Sequence, residues 1–167
     1  MSLVLRKIHL SDCLQISKAF ALQGWTKPEA QYQTYFQLQE SGKRDIIVAE
    51  KDGDFAGYLT IKWISDYPVF KERDIPEIVD FNVLQKYQRQ GIGTALMDDA
   101  ESRISKVSSY CGIRFGVTQD YGAAQVLYIK RGYIPDGNGL AKETKVLNYG
   151  DKIVIDDDVA FALIKTF

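Results

Sequence analysis

The chain has 167 residues, 46% of them apolar and 26% charged, with 21 Lys+Arg against 22 Asp+Glu. These proportions exclude disordered and collagen-like classes, and a chain this long buries enough surface to hold a core without disulfides or a structural metal. A net charge of −1 removes the broad positive field of a nucleic-acid or anionic-membrane binder, which leaves a small molecule as the expected partner.

From the N-terminus, Leu3 to His9 reads as a strand. Ser11-Asp12 followed by Leu14, Ile16, Phe20 and Leu22 reads as an amphipathic helix closed by Gly24. Lys27-Pro28 starts a second helix, carried by Tyr32, Tyr35, Phe36 and Leu38 until Gly42. Asp45 to Lys51 and Phe55 to Ile64 read as two antiparallel strands joined at Asp52-Gly53. A loop from Asp66 to Asp74, interrupted by Pro68, leads to a β-type run from Glu77 to Val83. A helix is predicted over Thr94 to Val107, a strand over Gly112 to Thr118, and a short helix over Ala123 to Lys130 ended by Gly132. Val146 to Tyr149 and Ile153 to Phe167 close the chain as a pair of strands.

This order describes an α/β fold: a mixed central sheet of about six to seven strands with helices on both faces, in a single domain over residues 1–167. Met1 to Phe20 lacks the unbroken apolar stretch of a signal peptide or membrane span, and Cys13 and Cys111 are too far apart for a redox or metal pair. A cytoplasmic location is expected. The lone His9 supports neither a multi-histidine metal centre nor a histidine triad, so no metal is expected.

The informative stretch is EIVDFNVLQKYQRQGIGTALM, from Glu77 to Met97, where a strand passes through a two-glycine turn into a helix. Unpaired N–H groups and the positive dipole end of the helix attract anions, and Gly91 and Gly93 allow a phosphate close to the backbone. Gln88 and Arg89 add side-chain donors. A dinucleotide fingerprint would need glycine at Leu96, and the Gly-Lys-Ser/Thr of a nucleotide-triphosphate loop is absent.

Gln88-Arg89-Gln90-Gly91-Ile92-Gly93, followed by Thr94-Ala95-Leu96, resembles the Gln/Arg-x-x-Gly-x-Gly/Ala signature of the GNAT superfamily of acetyl-CoA-dependent N-acetyltransferases. AQVLYIKRGY, from Ala124 to Tyr133, resembles its second signature, and the resemblance is strongest from Asp45 to Tyr133. One departure is Tyr121, where the family often has asparagine.

The resemblance implies acetyl-CoA as cosubstrate. Its pantetheine would lie along Phe81, Asn82 and Val83, and its pyrophosphate on the backbone of Gln88, Arg89, Gln90, Gly91, Ile92, Gly93 and Thr94. It also implies Tyr128 as the group that protonates the departing thiolate. Glu77, eleven residues before Gln88, is the first candidate for the general base. Asp80 competes with it. Three residues apart, the two would face opposite sides of an ideal strand unless a bulge intervened. The expected reaction is acetyl transfer to a primary amine of a small molecule, with a protein or peptide amine, or a non-catalytic acyl-CoA sensor, as alternatives. A homodimer is compatible with the sequence. Trp25, Tyr32, Trp63, Tyr67 and Phe70 are read either as an acceptor wall or as packing, and Asp156-Asp157-Asp158 either as an attractor of cationic amines or as a solvated turn.

Overall fold

The computed structural model describes residues 2–167. The elements are β1 (Leu3–Lys7), α1 (Asp12–Leu22), α2 (Glu29–Glu40), β2 (Arg44–Lys51), β3 (Asp54–Lys62), α3 (Pro68–Glu72) and β4 (Glu77–Val83). They continue with α4 (Ile92–Ser105), β5 (Tyr110–Gly116), α5 (Gly122–Lys130), β6 (Ile134–Lys142), β7 (Lys145–Val146) and β8 (Val159–Thr166). The residues fall into two compact units, one up to Trp63 plus Val79–Arg103, the other Ile64–Ile78 plus Ile104–Phe167. β4 crosses from the second unit into the first at Ile78–Val79.

In the first unit the strands run β1-β2-β3-β4. The β2–β3 hairpin turns through Asp52 at φ 52° and Gly53 at φ 89°, the two left-handed positions that a tight two-residue turn needs. Cys13, Ile16 and Phe20 recur at helical spacing on α1 and meet Ile46, Val48, Phe55 and Tyr58 of the sheet in one buried cluster. Phe20 is its centre, with its ring near those of Trp25, Phe55 and Tyr58 at 5.9, 5.9 and 6.0 Å. Burying such a side chain stabilises the unit by about 2–3 kcal/mol.

In the second unit the order is β4-β5-β8-β6-β7. β4 and β5 are parallel and register only at Glu77↔Gly112 and Ile78↔Ile113. β5–β8 and β6–β8 are antiparallel. Tyr67, Phe70, Ile75, Ala141, Ala162 and Ile164 form the core of this unit. Gly112 is required by that packing, since a Cβ there would stand 2.4 Å from the ring of Phe70.

The mixed sheet agrees with the sequence reading, but among the described residues it has eight strands rather than six to seven. The loop from Asp66 to Asp74 contains α3, because Pro68 supplies a pre-set first helical residue. The closing strands also differ. Ile134–Lys142 is a strand hidden in the sequence by Pro135, Gly137 and Gly139, and its register with β8 shifts between Pro135 and Leu140. Of the predicted pair, the first segment is strand only at Val146, the end of Lys145–Val146, and β8 begins at Val159. Asp156 explains the late start, because its carboxylate accepts from the Asp158 N–H at 3.1 Å and folds the chain into a turn.

Candidate active site

The glycine turn belongs to the first unit. Arg89 and Gly91 take φ values of 60° and 80°, which reverse the chain tightly enough for α4 to begin at Ile92. The first helical bond runs from Ala95 N–H to Gly91 O at 3.0 Å, so the preceding N–H groups have no helical acceptor. Gly93 serves packing as well, since a Cβ there would lie 3.1 Å from Phe81 Cζ of β4. Gln88 and Gln90 turn their side chains inward, donating to Val83 O at 3.2 Å and Lys86 O at 3.0 Å. Gln90 also accepts from Lys51. These two amides therefore shape the turn, while the Arg89 side chain stays exposed.

β4 carries both predicted carboxylates, and they have different surroundings. Glu77 is 1% exposed. Its Oε1 accepts from Arg114 Nε at 2.6 Å and its Oε2 from Ser65 Oγ at 2.5 Å, so both oxygens are engaged and one faces a permanent cation. Asp80 sits at φ 56°, a left-handed residue inside the strand that breaks the alternation of faces. Its Oδ2 accepts from Tyr35 at 3.0 Å, from Gln31 at 3.2 Å and from the Tyr58 hydroxyl. Its Oδ1 accepts from Asn82 Nδ2 at 2.7 Å and lies 3.6 Å from the Lys27 ammonium.

Burial and the negative charge of Asp80 push the Tyr35 phenol up to about 12, and the same two causes raise the Tyr58 phenol further. Both hydroxyls therefore remain donors at neutral pH. Arg44 backs this cradle. Its guanidinium lies 4.2 Å from the Tyr35 ring centroid and donates to Thr60 Oγ1 at 2.8 and 3.0 Å. Tyr35, Tyr58, Gln31 and Lys27 escaped the sequence reading, because their positions in α2, β3 and the α1–α2 connection bear no local relation to β4.

Tyr128 belongs to α5 in the second unit. It is 6% exposed, with its ring near Phe115 and Tyr133 at 6.4 and 6.1 Å. Its hydroxyl makes no hydrogen bond among the described residues, and burial raises the phenol above its ordinary value. The ring is packed but the hydroxyl is not among the buried unpaired polar atoms, so packing alone, which phenylalanine would serve as well, gives no reason for a tyrosine here. Tyr121, the departure from the family pattern, lies over Gly116, where a Cβ would stand 2.4 Å from its ring, and donates to Asp157 Oδ1 at 3.2 Å.

Tyr32, Tyr67 and Phe70 are core residues, whereas Trp25 is partly exposed and Trp63 donates to Asp45 at 3.1 Å. In the acidic triplet, Asp156 is paired with Lys142 at 2.7 Å and held below the usual carboxylate range by that bond. Among the described residues no group of three or more His, Cys, Asp or Glu side chains is placed to hold a metal, and no helix is long and apolar enough to cross a membrane.

The profile of the Acetyltransferase (GNAT) family matches residues 10–133. The chain belongs to the GNAT family of acetyltransferases. An N-alpha-acetyltransferase of Sulfurisphaera tokodaii is 29% identical over 153 residues, which cover 87% of this chain and 83% of that protein. Among solved structures, PaiA N-acetyltransferase from Thermoplasma acidophilum in complex with coenzyme A superposes with a TM-score of 0.67 at 16% identity, each chain fully covered. A chimeric spermidine N-acetyltransferase that includes Vibrio cholerae sequence superposes with a TM-score of 0.70 at 13% identity, covering 99% of this chain and 96% of that one. The two structures share the fold, and the family makes this GNAT chain an N-acetyltransferase.

Proposed function

We propose that this GNAT enzyme transfers the acetyl group of acetyl-CoA directly to a primary amine of a small cationic molecule, with Asp80 rather than Glu77 taking the amine's proton. The observation that carries the choice is the Asp80 cradle, a partly open carboxylate held by neutral donors with a primary ammonium already beside it. Glu77 is spoken for by Arg114 and Ser65, and protonating it would break a buried ion pair.

The site residues fit acetyl-CoA. Within Gln88–Thr94 the Gln88 N–H is taken by Gln85 O at 3.2 Å, and the N–H groups that follow it at the helix start face a pyrophosphate; Arg89 adds a cation, and Phe81, Asn82 and Val83 offer a strand edge to amides. An alkylamine with pKa near about 10 arrives protonated at neutral pH, so Asp80 anchors the ammonium and accepts its proton as the nitrogen attacks. Tyr128 keeps its proton at neutral pH and donates it to the departing thiolate, which explains a tyrosine with an unpartnered hydroxyl.

A free-thiol release assay with acetyl-CoA against polyamines, aminoglycosides, amino acids and lysine peptides tests the reading. Turnover is expected on a small cationic amine. Turnover confined to peptides would favour the second reading, a protein or peptide acceptor, which the N-alpha-acetyltransferase relative supports. Tyr128→Phe separates enzyme from sensor: an enzyme loses kcat by about a hundredfold and keeps its coenzyme affinity, whereas a sensor is unaffected.

A further inference from the structure

The cation at Asp80 is the protein's own. Lys27 lies in the connection between α1 and α2, and its Nζ stands 3.6 Å from Asp80 Oδ1 and 5.3 Å from the ring centroid of Phe20. That connection is pinned on both sides of the lysine. Ser17 Oγ donates to Lys27 O at 2.6 Å, and Gln31 N–H donates to Pro28 O at 3.1 Å. Trp25 stacks on Phe20 with planes 6° apart. The ammonium is thus delivered to the carboxylate instead of wandering in solvent, yet the two side chains remain 21% and 18% exposed. A primary alkylamine resting on the group that takes an acceptor's proton has the chemistry of an acceptor.

We infer that Lys27 is an acetyl acceptor of its own chain, and that acetylation at Nζ clears Asp80 for an external amine. The inference rests on the reading of Asp80 given above. Asp80 takes the ammonium proton, Nζ bonds to the thioester carbonyl carbon, the carbon–sulfur bond breaks, and Tyr128 protonates the thiolate. One acetyl-CoA is consumed, and one Nζ-acetyl-lysine and one free coenzyme A thiol are formed. The new amide carries no charge, so both its ion pair with Asp80 and its attraction to the Phe20 face are lost. Asp80 keeps its donors from Tyr35, Tyr58, Gln31 and Asn82 and becomes open to a cationic acceptor.

The test is to incubate the full chain with acetyl-CoA and no added amine, then follow acetylation of each lysine by mass spectrometry. Trypsin does not cut before Pro28, so Lys27 is read within the peptide Ala19 to Lys43 whether modified or not. Lys27 is expected to acquire label on the order of a hundredfold faster than the exposed Lys18 and Lys106, as a positioned base would give. The rate constant should not depend on protein concentration, and turnover of an external amine should show a lag that pre-acetylated enzyme lacks. Labelling of Lys27 at the pace of Lys18, or a rate that rises with protein concentration, overturns the inference. Asp80→Asn should abolish the preference for Lys27 and leave slow labelling of Lys18. If that variant fails to fold, competition by free coenzyme A decides the same point, since it should slow Lys27 alone. Brisk turnover of external amines with Lys27 never labelled overturns the inference and leaves the Asp80 reading intact. Bound coenzyme A with neither reaction removes both.

Discussion

Two carboxylates three positions apart on one strand have opposite fates because a single backbone angle intervenes. Asp80 at φ 56° leaves the regular pleat and meets hydroxyl and amide donors, while Glu77, on the regular part of β4, is neutralised by Arg114. Asp80→Asn is expected to lower kcat/KM about a hundredfold at neutral pH, with partial recovery at high pH where the amine deprotonates unaided. Glu77→Gln is expected to leave the shape of the pH profile unchanged and to cost about 2 kcal/mol of stability in urea melts, because Arg114 loses its partner. A profile flattened by Glu77→Gln alone would reverse the assignment. The phenols around Asp80 make a separate prediction. Tyr35 holds its proton more tightly in the folded than in the unfolded chain, so its contribution to stability is complete below about pH 10 and is lost as pH rises through about 12. Spectrophotometric titration should therefore show Tyr35 and Tyr58 ionising only in strong alkali, together with unfolding.

At the level of elements, β3 and β4 approach each other at a glycine. A Cβ at Gly57 would stand 2.6 Å from Asn82 O and 3.0 Å from Val83 Cα, both backbone atoms that cannot swing aside. Gly57→Ala should force β4 outward at the residues proposed to hold the pantetheine. The expected result is about 2 kcal/mol of destabilisation in thermal melts, with coenzyme A affinity reduced more than tenfold by calorimetry. Unchanged affinity would mean that Asn82 and Val83 do not line the cofactor. The elements also show why their boundaries were unevenly legible. α1, α2, β4 and α5 carry periodicity and end signals in their own residues, whereas β6 reads as a loop through Pro135, Gly137 and Gly139. It becomes a strand only because β8 supplies ladder partners at Ile164 and Leu163, and again at Phe161, Ala160 and Val159.

For the molecule as a whole, ligand linkage is the broadest test. Coenzyme A at a hundred times its dissociation constant should stabilise the native chain by about 2.7 kcal/mol, seen as a rise in Tm, and no shift at saturation would mean that the glycine turn takes no coenzyme. The sequence by itself determined the family and the glycine turn proposed to take the pyrophosphate, because strand, glycines and helix start are contiguous from Glu77 to Met97 and their chemistry depends on neighbours in the chain. It also singled out Tyr128 as the proposed proton donor, by its place in the second signature, though not that its hydroxyl would be left without a protein partner. The tertiary structure alone decided the surroundings of the two carboxylates and the presence of Lys27 at Asp80. Those contacts join Asp80 to Tyr58, Tyr35 and Gln31, which stand 22, 45 and 49 positions away. Local periodicity and spacing have no access to contacts at such separations, which exist only once α2 and β3 are packed beside β4.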